Sequence, residues 1–204
     1  MTPRGRGRYK KYWSGLIEEM DVRAPSFDEY LGKAEEKLSG ALGGRCRIAV
    51  YHEMNGDILK IIGEIEDERF RSELRYSEKE FTIRSRRRGF TCFLVYLGER
   101  PVAFVFGFDD PEKGAYFSDS AATLIERRGV GSILTALETR YCLEVGYGSE
   151  KMITEELDES GRRLREYWER FGFYVTGRDP KIGVEMRLEL TPEVVKRLCD
   201  KYLA

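Results

Sequence analysis

Hydrophobic positions along the chain switch between two periods, and the switches divide it into elements. After the Ser-x-x-Glu box of Ser26 and Glu29, Tyr30, Leu31, Ala34, Leu38 and Leu42 recur at helical spacing until Gly43-Gly44. Residues 47–52 hold the apolar run Ile48, Ala49, Val50 and Tyr51 and predict a first strand. The stretch 57–88 returns to a helical pattern in two pieces, the second opened by another box at Ser77 and Glu80. Residues 90–97 and 102–108 are apolar at nearly every position and flank the turn Gly98-Glu99-Arg100-Pro101, which predicts a hairpin. Apolarity on both sides of these strands implies a sheet covered on both faces.

A further strand, 115–124, is rich in small residues and delivers the segment Glu126-Arg127-Arg128-Gly129-Val130-Gly131-Ser132. The helix expected over 132–145 sets Ile133, Leu134, Leu137, Tyr141 and Val145 on one face. Residues 151–157 read as a strand with Glu155 and Glu156 in its second half. A helix opening at Ser160-Gly161 carries Leu164, Tyr167, Trp168 and Phe171 and stops at Gly172. Strands are expected at 173–176 and 183–190, and Thr191-Pro192 starts a last helix.

Composition narrows the classes. The 204 residues suffice for one core with an accessory segment. Charged residues make up 35% of the chain, glutamine is absent and Asn55 is the single asparagine, a profile that points to a thermophilic source. A net charge of −1 gives no general attraction to nucleic acid or anionic membrane. The basic, aromatic stretch 4–13 is a local candidate for RNA or ribosome contact, with a solvated terminus as the plainer reading. The arginines at 84 and 86–88 read as a solvated helix end. Cys46, Cys92, Cys142 and Cys199 are scattered, and the lone His52 completes no cluster with them, so no metal site is expected. The cysteines read as buried hydrophobes of a reducing cytosol, and the absence of a long apolar run predicts a cytoplasmic protein without a membrane partner.

Two glycines spaced by one residue at the start of a helix leave several backbone N–H groups directed at one point, which suits a phosphate. A second signature, Trp168-Glu169-Arg170-Phe171-Gly172-Phe173, follows one strand later. Together these resemble the GNAT superfamily of acetyl-CoA-dependent N-acetyltransferases, over roughly residues 47–190. Glu126 departs from the Gln or Arg usual at the head of that family's loop.

The resemblance implies an α/β (α+β) fold with a mixed, mostly antiparallel central sheet of six to seven strands flanked by helices. It divides the chain into an N-terminal extension (1–44, basic tail plus helix), an acetyltransferase-like domain (45–190) and a C-terminal helix (191–204). The implied activity is transfer of acetyl from acetyl-CoA, as co-substrate, to a primary amine such as a protein N-terminus, a lysine or a small amine. Arg127, Arg128, Gly129, Val130, Gly131 and Ser132 would hold the CoA pyrophosphate, with only the backbone of Glu126 contributing. Ala121, Ala122 and Thr123 would pair through their backbone with the pantetheine arm. Glu156 is the candidate base, followed by Glu155 and Asp119. Trp168 stands where many members carry the tyrosine acid; an indole can orient the sulfur but not protonate it. Tyr167, about 100° further round the helix, is expected to face elsewhere. Two other readings stay open: a catalytically weak acyl-CoA-binding or regulatory module of the same fold, and an RNA- or ribosome-associated protein that uses the basic tail.

Overall fold

A computed structural model describes residues 25–158 and 161–204. The tail read as an RNA arm and Ser160 lie outside the described residues. Helix α1 (Phe27–Leu42) is closed at both ends by local chemistry: Ser26 and Glu29 form the reciprocal capping box, and Gly43 takes the left-handed conformation that ends it. Strand β1 (Cys46–Tyr51) leads into α2 (Gly56–Arg69), capped by Asn55, then a single 3-10 turn (Ser72–Leu74) and α3 (Glu78–Ser85), opened by the second capping box. The hairpin β2 (Thr91–Leu97) and β3 (Arg100–Asp109) and the strand β4 (Ala115–Thr123) follow. Then come α4 (Val130–Val145), β5 (Ser149–Thr154), α5 (Leu164–Glu169), β6 (Tyr174–Asp179), β7 (Gly183–Glu189) and α6 (Pro192–Tyr202).

The seven strands form one sheet in the order β1-β2-β3-β4-β5-β7-β6, antiparallel except for β4 beside β5. Each face carries its own core. Ile58, Ile62 and Ile65 of α2 and Phe81 of α3 pack on Leu94, Phe104 and Phe106 from one side. Helices α1, α4 and α6 cover the other side, where Phe93, Val95, Leu134, Leu137 and Leu198 meet. The covered sheet expected from the apolar hairpin is therefore present, with β2 buried at all but its last residue. All four cysteines are buried and unbridged. Among the described residues no helix is long and apolar enough to cross a membrane.

Three expectations need correction. Strand β5 ends at Thr154, so Glu155 and Glu156 lie in the connection after it rather than in a strand. Helix α5 is six residues long and starts at Leu164, not at the Ser160-Gly161 pair. The arginine cluster is not simply solvated. Arg84 pairs with Asp119 at 2.8 Å, Arg87 lies over the Phe108 ring at 3.8 Å, and Arg88 reaches Asp109 at 3.0 Å.

The parallel pairing of β4 with β5 covers three residues only, Ala115, Tyr116 and Phe117 against Ser149, Glu150 and Lys151. Two carboxyl groups are buried beside it, Glu138 on α4 and Glu150 on β5, at 1% and 0% exposure. Ser118 Oγ donates to Glu138 at 2.9 Å and Thr139 Oγ1 to Glu150 at 3.0 Å. The remaining Oε1 atom of each has no other partner, so a proton held between the two carboxyls satisfies both. Desolvation raises both above the ordinary carboxylate value of 4.5.

A group that keeps its proton longer in the folded chain stabilises it fully below the unfolded value and loses that contribution as pH rises through the folded one. Melting temperature should thus fall from about pH 4.5 towards and beyond neutrality. Glu138→Gln, which keeps a neutral donor in place, should flatten this decline and melt higher than the wild type at alkaline pH. Thermal melts across pH check it: an equal loss at every pH would show that the pair shares no proton.

Candidate active site

The site begins where β4 and β5 part. Beyond Phe117 the β4 strand stays paired with β3 as far as Thr123, but its other edge is left by β5. Backbone N–H and C=O groups along residues 118–123 on that edge face a wedge between the strands. An extended chain inserted there can take strand-like hydrogen bonds. Ala121 is exposed, and Ala122 packs on the α2/α3 side of the sheet. Thr123 Oγ1 is drawn into the following turn by the Ile125 backbone at 3.1 Å.

The strand register slips opposite Phe106 and Gly107, so that Asp119 is an extra residue in β4. Strict alternation would put Ser120 on the α4 face. The bulge instead turns both Asp119 and Ser120 towards α2 and α3, where Asp119 meets Arg84 and Ser120 Oγ donates to Glu66 at 3.1 Å.

At the wide end of the wedge, Arg127 has φ 58° and Gly129 φ 79°, two left-handed residues spaced by one. For Arg127 this is a strained conformation for an L side chain, of the kind that concentrates at ligand loops. Together they fold residues 126–129 into a turn that opens α4 with no side-chain cap. The first-turn N–H groups of a 16-residue helix are thus directed at the mouth of the wedge with the positive end of the helix dipole. Arg127, Arg128 and Gly129 are exposed, Gly131 and Ser132 half-buried, and Val130 is buried in the core beneath. Glu126, which alone argued against a phosphate here, is turned aside. Its Oε1 pairs with Arg69 of α2 and lies 3.3 Å from Arg162. The Arg69 guanidinium, first of these, holds its carboxyl below the usual range.

The two aromatic residues of α5 face different neighbours. Trp168 packs among Phe171 and Phe173 at the edge of the core. Tyr167 faces α4 instead: its hydroxyl lies 3.4 Å from Ser132 Oγ in the first turn. The 100° offset holds, but the short helix is rotated so that position 167 meets the loop. Burial raises the Tyr167 hydroxyl above its ordinary value, so it stays protonated at neutral pH.

The carboxylates expected to serve as base are distributed unevenly. Glu156 is exposed, and its two oxygens are held by Arg165 at 2.6 Å and Arg178 at 2.7 Å. These bonds, Arg165 first, hold its carboxyl below the ordinary value. Glu155 pairs with Arg71. Asp119 is nearly buried and raised by desolvation against the opposing pull of Arg84. Residue pattern did not point to Glu66. It is 1% exposed on the inner face of α2, and burial raises its carboxyl to about 7. Its signal was present in the sequence as an acidic residue in register with Ile58 and Ile62, at four-residue steps along an apolar stripe.

No protein-family model matches the sequence, and no curated protein matches it significantly. Solved structures do match in fold. The ribosomal-protein-S18-alanine N-acetyltransferase from Escherichia coli superposes with a TM-score of 0.55 at 14% identity, over 71% of this chain and 94% of its own. Ard1 from Thermoplasma volcanium gives 0.58 at 15%, over 71% and 98%. An aminoglycoside 6'-N-acetyltransferase complexed with coenzyme A gives 0.60 at 11%, over 71% and 97%. The chain therefore has the GNAT fold, the fold of N-acetyltransferases.

Because Glu126 gathers Arg69 and Arg162 to the rim of the loop, Glu126→Gln should weaken CoA binding by about threefold at low ionic strength, with the loss shrinking as salt is added. Calorimetric titration with CoA measures this; tighter binding would mean that Glu126 opposes the phosphates rather than organising Arg69 and Arg162.

Proposed function

We propose that the chain is an acyl-CoA-dependent N-acyltransferase that moves an acetyl group from acetyl-CoA to a primary amine. The observation that carries this reading is the wedge between β4 and β5 with the uncapped start of α4 at its mouth. A thioester-bearing ligand with an extended arm and a pyrophosphate suits both ends. The pyrophosphate sits on the N–H groups of residues 127–132, with Arg127 and Arg128 adding charge-assisted hydrogen bonds. The pantetheine arm runs along the open edge of Ala121, Ala122 and Thr123, which brings the thioester beside the bulge. The fold neighbours named as acetyltransferases, one of them holding coenzyme A, support the assignment.

The acceptor is placed on the α2/α3 side, where Asp119 and Ser120 are half-buried rather than sealed beneath the helices. There the amine must lose a proton before its lone pair attacks the thioester carbonyl. Tyr167, with its hydroxyl 3.4 Å from Ser132, stands at the pyrophosphate end of such a ligand, where it holds the first turn of α4 rather than meeting the thiolate. Glu156 serves as a counter-ion for Arg165 and Arg178.

Incubation with radiolabelled acetyl-CoA and a panel of peptide N-termini, lysine, polyamines and small amines should transfer label to at least one of them. Arg127→Ala combined with Arg128→Ala should raise KM for acetyl-CoA about tenfold, equivalent to ~1.4 kcal/mol, with little change in kcat. CoA binding without label transfer to any amine would favour the binding-module reading instead.

A further inference from the structure

Glu66 is a carboxylate in a place built for an isoleucine. It continues the stripe of Ile58 and Ile62 on α2, against a sheet face of Phe104, Phe106 and Leu94. Burying an ionisable group in such surroundings costs stability unless it is used or paired. Its hydrogen bonds are two, both from neutral donors: the Tyr76 backbone N–H at 3.0 Å and Ser120 Oγ at 3.1 Å. The cation that faces the cluster, Arg84, is committed to Asp119 at 2.8 Å and stacks on the Tyr76 ring at 3.6 Å. The charged and titratable groups around Glu66 are thus Tyr76, Arg84 of α3 and Asp119 of β4.

Ser120 links this carboxylate to the wedge. It is half-buried, three residues beyond the last β4–β5 pair, and the bulge at Asp119 turns its hydroxyl to the face from which the amine arrives. We propose that Glu66, acting through Ser120 Oγ, is the proton acceptor for the incoming amine. The inference rests on the acyltransferase reading above.

The step balances as follows. An ammonium hydrogen-bonded to Ser120 Oγ gives that oxygen a proton as the serine's own proton passes to Glu66. The freed lone pair forms the N–C bond to the thioester carbon, and the C–S bond breaks. The nitrogen's surplus proton leaves with the thiolate as thiol, and Glu66 returns its proton to solvent. Raised to about 7, Glu66 is matched to proton transfer near neutral pH. Only its ionised form accepts, so kcat/KM should climb as pH rises through that value.

The test is the pH profile of kcat/KM with the best amine of the panel. In Glu66→Gln the rate at pH 8 should fall about 100-fold or more and the acidic limb should vanish, while acetyl-CoA affinity stays within about twofold. Ser120→Ala, a small change on a strand, should cost about tenfold or more with the fold intact, and it carries the test should Glu66→Gln fail to fold. A Glu66→Gln enzyme that keeps its rate and its acidic limb overturns the assignment, as does an unchanged rate in Ser120→Ala. A wild type that binds acetyl-CoA but acetylates nothing brings down the acyltransferase reading itself, a failure visible before any variant is made.

Discussion

The three-residue pairing of β4 with β5 is the constraint on which the rest of this molecule depends. A parallel pair needs a crossover to join its strands, and α4 is that crossover. Its first turn is therefore brought to the end of β4, where the wedge is widest. Had the pairing continued to Thr123, the strand edge would be satisfied by protein and the helix start would face a closed sheet. Because it stops at Phe117, one strand edge and one helix N-terminus share a single opening. The fork is held from below by Ser118, Glu138 and Glu150, which tie β4, α4 and β5 together through hydrogen bonds that water does not reach. Dry polar contacts of this kind hold geometry tightly because each unmade bond costs its full desolvation.

The bulge at Asp119 divides the labour between the two faces of the sheet. On the proposed reading, a ligand arm on the edge of β4 and an amine on the α2/α3 face would meet at the same few residues without competing for side chains. Without the bulge, strict alternation of the same residues would put Ser120 on the α4 side and separate it from Glu66. The bulge therefore decides which β4 side chains meet Glu66 and Arg84.

Much of this was legible in the sequence because it is encoded locally. The capping boxes at Ser26 and Ser77, the hairpin turn at Gly98 and the Gly129-Val130-Gly131 loop each act within a few residues, and each element stands where the pattern put it. The features that escaped depend on partners distant in the chain. Glu156 reads as a free strand carboxylate until Arg165 and Arg178 close on it. Arg84 reads as a solvated helix end until Asp119, 35 residues on, takes it inward. The orientation of α5 turns the Tyr167 hydroxyl to Ser132 while Trp168 packs on Phe173, and both rings rest on Phe171. Glu66 was visible as a break in an apolar stripe, but only the fold shows that the break faces Ser120 rather than solvent.

The departure of Glu126 from the family pattern can now be weighed in electrostatic terms. An exposed carboxylate beside an anion site repels, but one paired with Arg69 and with Arg162, which also holds Asp158, is neutralised by its neighbours. Arg69 comes from α2 and Arg162 from the segment before α5, so Glu126 gathers cations from two distant parts of the chain to the rim of the loop. A glutamine or arginine at its position would bring a single neutral or positive group, without that recruitment. The same ion pairs connect α2, which carries Glu66 on its inner face, to the loop that would receive the phosphates.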